Sequence, residues 1–214
     1  MSKPTHPYAE LAGLAAAASR LLLNPPDPAT LAALQPAAGA VLNLTQSQQD
    51  FYDHLCIAQS GCFLPPVAHV LNQAHQTKEF WHFGTPRHDG GDGLLPWYDA
   101  IGFDPSALPA DPFLAATNRP LDHAGVLLAF LAVLLDAADD NEADRTLIGE
   151  LIGEHIETWA DTFVHLLSCS ESPYIALLGS MLGDFFAVLR KAIPPIAPAA
   201  IGTQPKVIAI QTAA

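Results

Sequence analysis

Apolar positions recur along most of the chain at spacings of three and four, the period of a helix packed on one face. Leu11, Leu14, Ala15, Ala18, Leu21 and Leu22 form the first such stripe. Asn24-Pro25-Pro26 ends it, because proline has no N–H to donate and pushes the preceding residue out of the helical region. A short second helix is predicted from Ala29 to Leu34, stopping near Pro36. Thr45, with Gln48 three residues on, has the spacing of a capping box. It predicts a third helix with Phe51, Tyr52 and Leu55 on its apolar side, closed by Gly61 and Pro65-Pro66.

Residues 61–122 lose this regularity. A helix is predicted over Val67 to Gln76 and another over Leu94 to Ile101, ending at Gly102. His88-Asp89-Gly90-Gly91-Asp92-Gly93 reads as a flexible loop. Three strong helices follow. Asp122 is a good N-cap for one that runs to about Ala138 and is apolar almost all round, which predicts a central, buried helix. The next covers Asn141 to Leu167, with Leu147, Leu151, Ile152, Ile156, Trp159, Phe163 and Leu166 as its stripe. The last starts at Ser172-Pro173, a cap followed by proline at the first helical position. Its stripe is Tyr174, Leu177, Leu178, Met181, Leu182, Phe185 and Leu189.

No alternating strand pattern and no internal repeat stands out. The expected class is therefore all-α: one helical domain over residues 1–193 with a long irregular central connection, and a tail, 194–214, mobile or loosely docked. The Ala/Leu-rich beginning is interrupted by Glu10 and Arg20 and keeps helical spacing, so it reads as mature protein. The longest apolar run, Ala124 to Leu135, is too short to span a bilayer.

Composition narrows the function. Net charge is −13, with 22 acidic against 9 basic residues. A nucleic-acid partner and a polybasic membrane anchor both call for a basic face, so neither is expected. An acidic surface quickens encounter with a basic partner, and equally keeps an apolar chain soluble. Three cysteines, Cys56, Cys62 and Cys169, without framework spacing indicate a reducing, cytoplasmic compartment.

Candidate chemistry is sparse. His54, Cys56, Cys62, His69, His75, His82 and His88 crowd one stretch and are of the types zinc prefers. No paired spacing such as CxxC or HExxH joins them, so a metal-dependent enzyme or sensor is an alternative reading rather than the leading one. A Cys/His nucleophile from Cys56 or Cys62 lacks a recognisable orienting third group. The glycines at 84–93 do not form a phosphate loop. Pro120-Leu121-Asp122-His123 is more informative, since it opens the most buried helix with an acid and a histidine. Asp122 as a plain cap and Asp122-His123 as a site remain equally open on the residues alone.

Asp122-His123-Ala124-Gly125-Val126-Leu127-Leu128-Ala129-Phe130-Leu131-Ala132 resembles the DHxGxxLxFLA signature of the TorD/DmsD/NarJ chaperones of molybdenum-cofactor oxidoreductases. The stretch from Asp50 to Cys56 followed by Pro65-Pro66, then Trp97-Tyr98 with Gly102, His155 to Phe163 and Tyr174 to Leu178 are similar to the family's other elements. The likeness covers roughly residues 45 to 190, with Val67, His69 and Cys56 departing from the usual residues. It implies an all-helical, non-catalytic, cytoplasmic protein. Its partner would be the precursor of a molybdoenzyme, held by its twin-arginine leader and often its folded body, until the cofactor is inserted. By the same resemblance the leader-binding positions are Tyr52, Cys56, Pro66, Val67, Trp81, Pro120, Asp122 and His123. Some relatives bind guanine nucleotides weakly, but no cofactor is expected here. Relatives occur as monomers or domain-swapped dimers. A structural accessory subunit of a redox complex is the remaining alternative.

Overall fold

A computed structural model describes residues 8–197 apart from Glu79, Asn118 and Asp140. The described residues are predominantly helical. In chain order they form α1 (Ala9–Leu23), α2 (Pro28–Leu34), α3 (Leu44–Phe51) and α4 (Ala68–Leu71). A small hairpin follows, β1 (His75–Thr77) and β2 (Phe80–His82), then α5 (Leu95–Ile101), α6 (Ala124–Ala137), α7 (Glu142–Leu151), α8 (Ala160–Ser168) and α9 (Pro173–Ala192). Among these, no helix is long and apolar enough to cross a membrane.

Helix α6 is the centre. Every residue from Ala124 to Leu135 is buried except Val133. Each fully buried Leu or Phe contributes about 1.5–3 kcal/mol through its removal from water. Helix α1 lies along α6, and α8 packs on α9. The first contact is close because the chain is small there. Ser19 Oγ donates to the Gly125 carbonyl at 2.6 Å, and a Cβ on Gly125 would stand 2.7 Å from Leu23 Cγ. Tyr98 and Phe103 pack against Phe130, with ring centroids 4.9 and 5.2 Å away, and so bring α5 and the turn after it onto α6.

Several boundaries fall where local chemistry puts them. Asn24 ends α1, Gly102 ends α5 at φ 66°, and the Ser172 hydroxyl caps α9 by accepting from the Ile175 N–H. Others differ. The cap of α3 is Asn43, whose side chain accepts from Gln46 N, while Gln48 reaches instead to the Pro26 carbonyl. The helix expected over Val67 to Gln76 stops at Leu71, and the chain turns into the antiparallel pair His75↔His82, Gln76↔Trp81, Thr77↔Phe80. Both strands are largely exposed, so no buried alternation announced them. Lys78, at φ 57°, makes the turn between them.

The long helix expected from Asn141 to Leu167 is two helices. A π turn over Ile152–Ile156 ends with the Glu157 N–H on the Ile152 carbonyl, five residues back, and α8 restarts after Trp159. The same irregularity follows α3, where Ile57 N–H reaches the Tyr52 carbonyl. The chain after α9 is held where it first leaves the helix: Ile196 N–H donates to the Gly149 carbonyl at 2.8 Å, and the Ile196 backbone lies against Gly153. Of the tail expected over 194–214, residues 198–214 lie outside the described residues.

Candidate functional site

The segment entering α4 and the segment entering α6 are tied by one antiparallel bridge between Val67 and His123. Ala68 N–H donates to the Asp122 carbonyl at 3.0 Å, and Ala124 N–H donates to the Pro66 carbonyl at 2.8 Å. Pro66, Val67, Asp122 and His123 are therefore brought together, and all four are buried. Pro120 precedes them by one turn, its carbonyl accepting from His123 N–H.

Within this knot the cap is His123, not Asp122. His123 Nδ1 accepts from Gly125 N–H at 3.1 Å, which puts the ring proton on Nε2. That Nε2 is buried with no hydrogen-bond partner. Burial, with the nearby Arg119 charge adding to it, pushes the His123 pKa down to about 3, so the ring is neutral.

Asp122 has another task. Its Oδ2 accepts two bonds from His69, one from the backbone N–H at 2.7 Å and one from ring Nδ1 at 2.8 Å. Arg87 N–H donates to His69 Nε2 at 3.0 Å, so Nε2 must carry the lone pair and Nδ1 the proton. The loop read as flexible closes over this pair. A Cβ on Gly90 would collide with the His69 ring, and one on Gly91 would stand 2.6 Å from Asp122 N. These two glycines are present because backbone must pass where a side chain has no room.

Asp122 Oδ1, by contrast, has no partner. The Asp122 residue borders a cavity of about 90 Å³ together with Asn72, Glu154, His155 and Thr158. His155 Nε2 is also buried without a hydrogen bond, 3.5 Å from Glu154 Oε1. Burial lowers its pKa, opposed by the charges of Glu154 and Asp122.

Trp81 lies elsewhere. It borders a groove of about 630 Å³ with Leu64, Leu166 and Pro173 as apolar walls and Asp50, His54, Cys62, Cys169 and Glu171 around them. The polar floor is fully engaged. Asp50 accepts from Ser172 Oγ at 2.5 Å and from Gln46 Nε2 at 2.8 Å. His54 Nδ1 donates to the Asp50 carbonyl at 2.9 Å, leaving Nε2 to face Ser170 Oγ at 3.0 Å. Glu171 is the exposed acid of this groove. Leu64, Leu166 and Glu171 carried no local sign of their role, since the groove is assembled from three separate parts of the chain.

Tyr52 and Cys56 make a third place. Tyr52 Oη donates to Asp111 Oδ2 at 2.9 Å, and its ring lies against the exposed Phe113. Desolvation and the Asp111 charge push the Cys56 thiol up to about 12. That is the reverse of an activated nucleophile, which needs a lowered pKa. Asp111 also borders a wider groove of about 770 Å³ between the end of α1, α6 and residues 108–112, with Asp27 and the Arg20 ion pair at its rim.

The histidines and cysteines of residues 54–88 do not gather at one centre, although His75 and His82 stack on each other. His54 faces Ser170, His69 faces Asp122, and His75 and His82 sit on the hairpin. Among the described residues no three His, Cys, Asp or Glu side chains are placed to hold a metal ion together.

The family model described as nitrate reductase delta subunit matches residues 94–165, from the approach to α5 through most of α8. This supports the NarJ/TorD-type resemblance carried by Asp122 to Ala132. That family is associated with maturation chaperones of molybdoenzymes, which are not catalysts. No curated protein and no solved structure matches the chain.

Proposed function

We propose that this chain, whose residues 94–165 match the nitrate reductase delta subunit family, is a cytoplasmic maturation chaperone that binds the precursor of a molybdenum-cofactor oxidoreductase through its twin-arginine leader. Binding holds the client back from export until the cofactor is in place, and the chain itself performs no chemistry.

The observation that carries the leader reading is the groove bordered by Trp81. A leader is basic, apolar and unstructured. Leu64, Trp81, Leu166 and Pro173 offer apolar contact, and Glu171 offers an exposed carboxylate at the same groove. The net charge of −13 favours the encounter. The Asp122–His69 knot acts through position: it fixes the loop and the start of α4, from which the hairpin bearing Trp81 departs. Asp122, His123, Pro66 and Val67 are thus positioning residues in this reading.

The test is affinity capture from the native cells under anaerobic respiration, with co-purifying chains identified by mass. A molybdoenzyme precursor with its leader attached is the expected result. Recovery of the mature enzyme alone would sink the leader reading in favour of a permanent accessory subunit.

A further inference from the structure

We propose that His75 and His82 form a two-ligand site for a borderline divalent transition-metal ion, of the nickel, copper or zinc kind, which staples the hairpin. The pair has three features of such a site. The residues are direct cross-strand partners in the antiparallel register. Their rings are stacked, with centroids 5.2 Å apart and planes inclined by 20°. Both side chains are exposed, so an ion reaches them without any rearrangement of the core.

The donor atoms fit as well. His75 Nδ1 contacts the Gln73 carbonyl at 3.3 Å, an acceptor that places the proton on Nδ1 and leaves Nε2 free to ligate. Neutral imidazole is a preferred ligand of nickel, copper and zinc. Metal–nitrogen bonds of about 2.0–2.1 Å let two adjacent rings take neighbouring positions on one ion after small side-chain rotations. Solvent completes the coordination. Two protein ligands make an exchangeable site, unlike the closed four-ligand sites that hold folds together.

The consequence lies on the other side of the strand. Successive strand residues face opposite ways, so His82 and Trp81 project from opposite faces of β2. Trp81 packs near His165, with ring centroids 5.8 Å apart, and borders the 630 Å³ groove. A two-stranded hairpin alone is marginally stable. An ion across His75 and His82 holds β1 to β2 and so steadies the strand that carries Trp81.

Titration of the full chain with nickel chloride, followed by calorimetry in a non-chelating buffer, is the decisive experiment. The expected result is one saturable site, with affinity reduced about tenfold or more in both His75→Ala and His82→Ala as chelation is lost. Helical circular dichroism should stay unchanged in both variants, since neither side chain is buried. Amide exchange over residues 75–82 should slow on saturation. No binding by the parent, or binding as tight as the parent's in either variant, would overturn the site. Binding without slower exchange would overturn the staple. A Cys62→Ser/Cys169→Ser variant should bind nickel as the parent does, and loss of binding there would move the site to the thiols.

Discussion

Asp122 holds His69 twice through a single oxygen: Oδ2 takes both the backbone N–H and the ring Nδ1–H of a residue 53 positions earlier. The arrangement locks the beginning of α4 against the beginning of α6. Removing the carboxylate strands two buried donors at once. Asp122→Ala should therefore cost about 3 kcal/mol, which for a chain of this size lowers Tm by roughly 6–12 °C. Asp122→Asn keeps an acceptor for both bonds and should lose less. Thermal unfolding of the two variants separates them, and an equal loss would mean that the His69 bonds are not what matters.

The glycines over this pair give an internally controlled comparison. A Cβ at Gly90 has no room beside the His69 ring, whereas nothing lies within 4 Å of one at Gly93. Gly90→Ala should destabilise by about 1–3 kcal/mol, the usual range for overpacking. Gly93→Ala should be close to neutral. Denaturant midpoints measured on both would contradict the packing if they moved together.

His123 makes stability depend on pH. Its folded-state pKa is about 3 against 6.5 for the free side chain, so below pH 6.5 the unfolded chain binds a proton that the folded chain refuses. Stability is then complete above about pH 6.5 and falls as pH drops toward 3. The loss from this group between pH 7 and pH 5 is about 2 kcal/mol. His155, also lowered, adds in the same direction. His123→Asn keeps a good cap for α6 without titrating. It should flatten the dependence of Tm on pH between 7 and 5, and an unchanged slope would place the titration elsewhere.

Much of this fold follows from local signals. Asn24-Pro25-Pro26, Gly102 and Ser172-Pro173 mark helix ends by chemistry confined to a few residues, and α6 declares its burial by being apolar all round. The same locality explains the misreadings. Asp122 is a better N-cap than His123 by side chain alone, but His69 draws the carboxylate away, and nothing near residue 122 announces a partner in α4. Each strand of the hairpin is three residues long and mostly exposed, so no period-2 burial existed to detect. The break at Ile152–Ile156 occurs within an apolar stripe that continues in register on paper, with only Gly153 to hint at it. Of the site residues suggested by resemblance, Pro66, Val67, Asp122 and His123 meet, whereas Trp81 and the Tyr52–Cys56 pair occupy other surfaces.

The three thiols should differ in reactivity. Cys56 is half-buried and its pKa is pushed to about 12, whereas Cys62 and Cys169 are exposed. Iodoacetamide at neutral pH should alkylate Cys62 and Cys169 in the folded chain and leave Cys56 untouched until denaturation, as read by peptide mass. Early modification of Cys56 would show that the turn over Tyr52–Cys56 opens readily.

Because Trp81 and Tyr52 border different surfaces, two substitutions can tell which one receives a leader. Trp81→Ala removes the largest apolar contact of the 630 Å³ groove from a half-exposed position, so the bundle should survive it. A central aromatic anchor of this kind contributes about 2 kcal/mol or more to binding, which corresponds to a loss of leader affinity of roughly thirtyfold. Tyr52→Phe deletes only the hydroxyl bond to Asp111, at the edge of the other groove, and should leave affinity unchanged. Fluorescence anisotropy of a labelled leader peptide reads both. The opposite pattern, with Tyr52→Phe weakening binding and Trp81→Ala sparing it, would move the leader to the groove between α1 and α6, where Asp27 and Asp111 would supply the acidic contacts in place of Glu171.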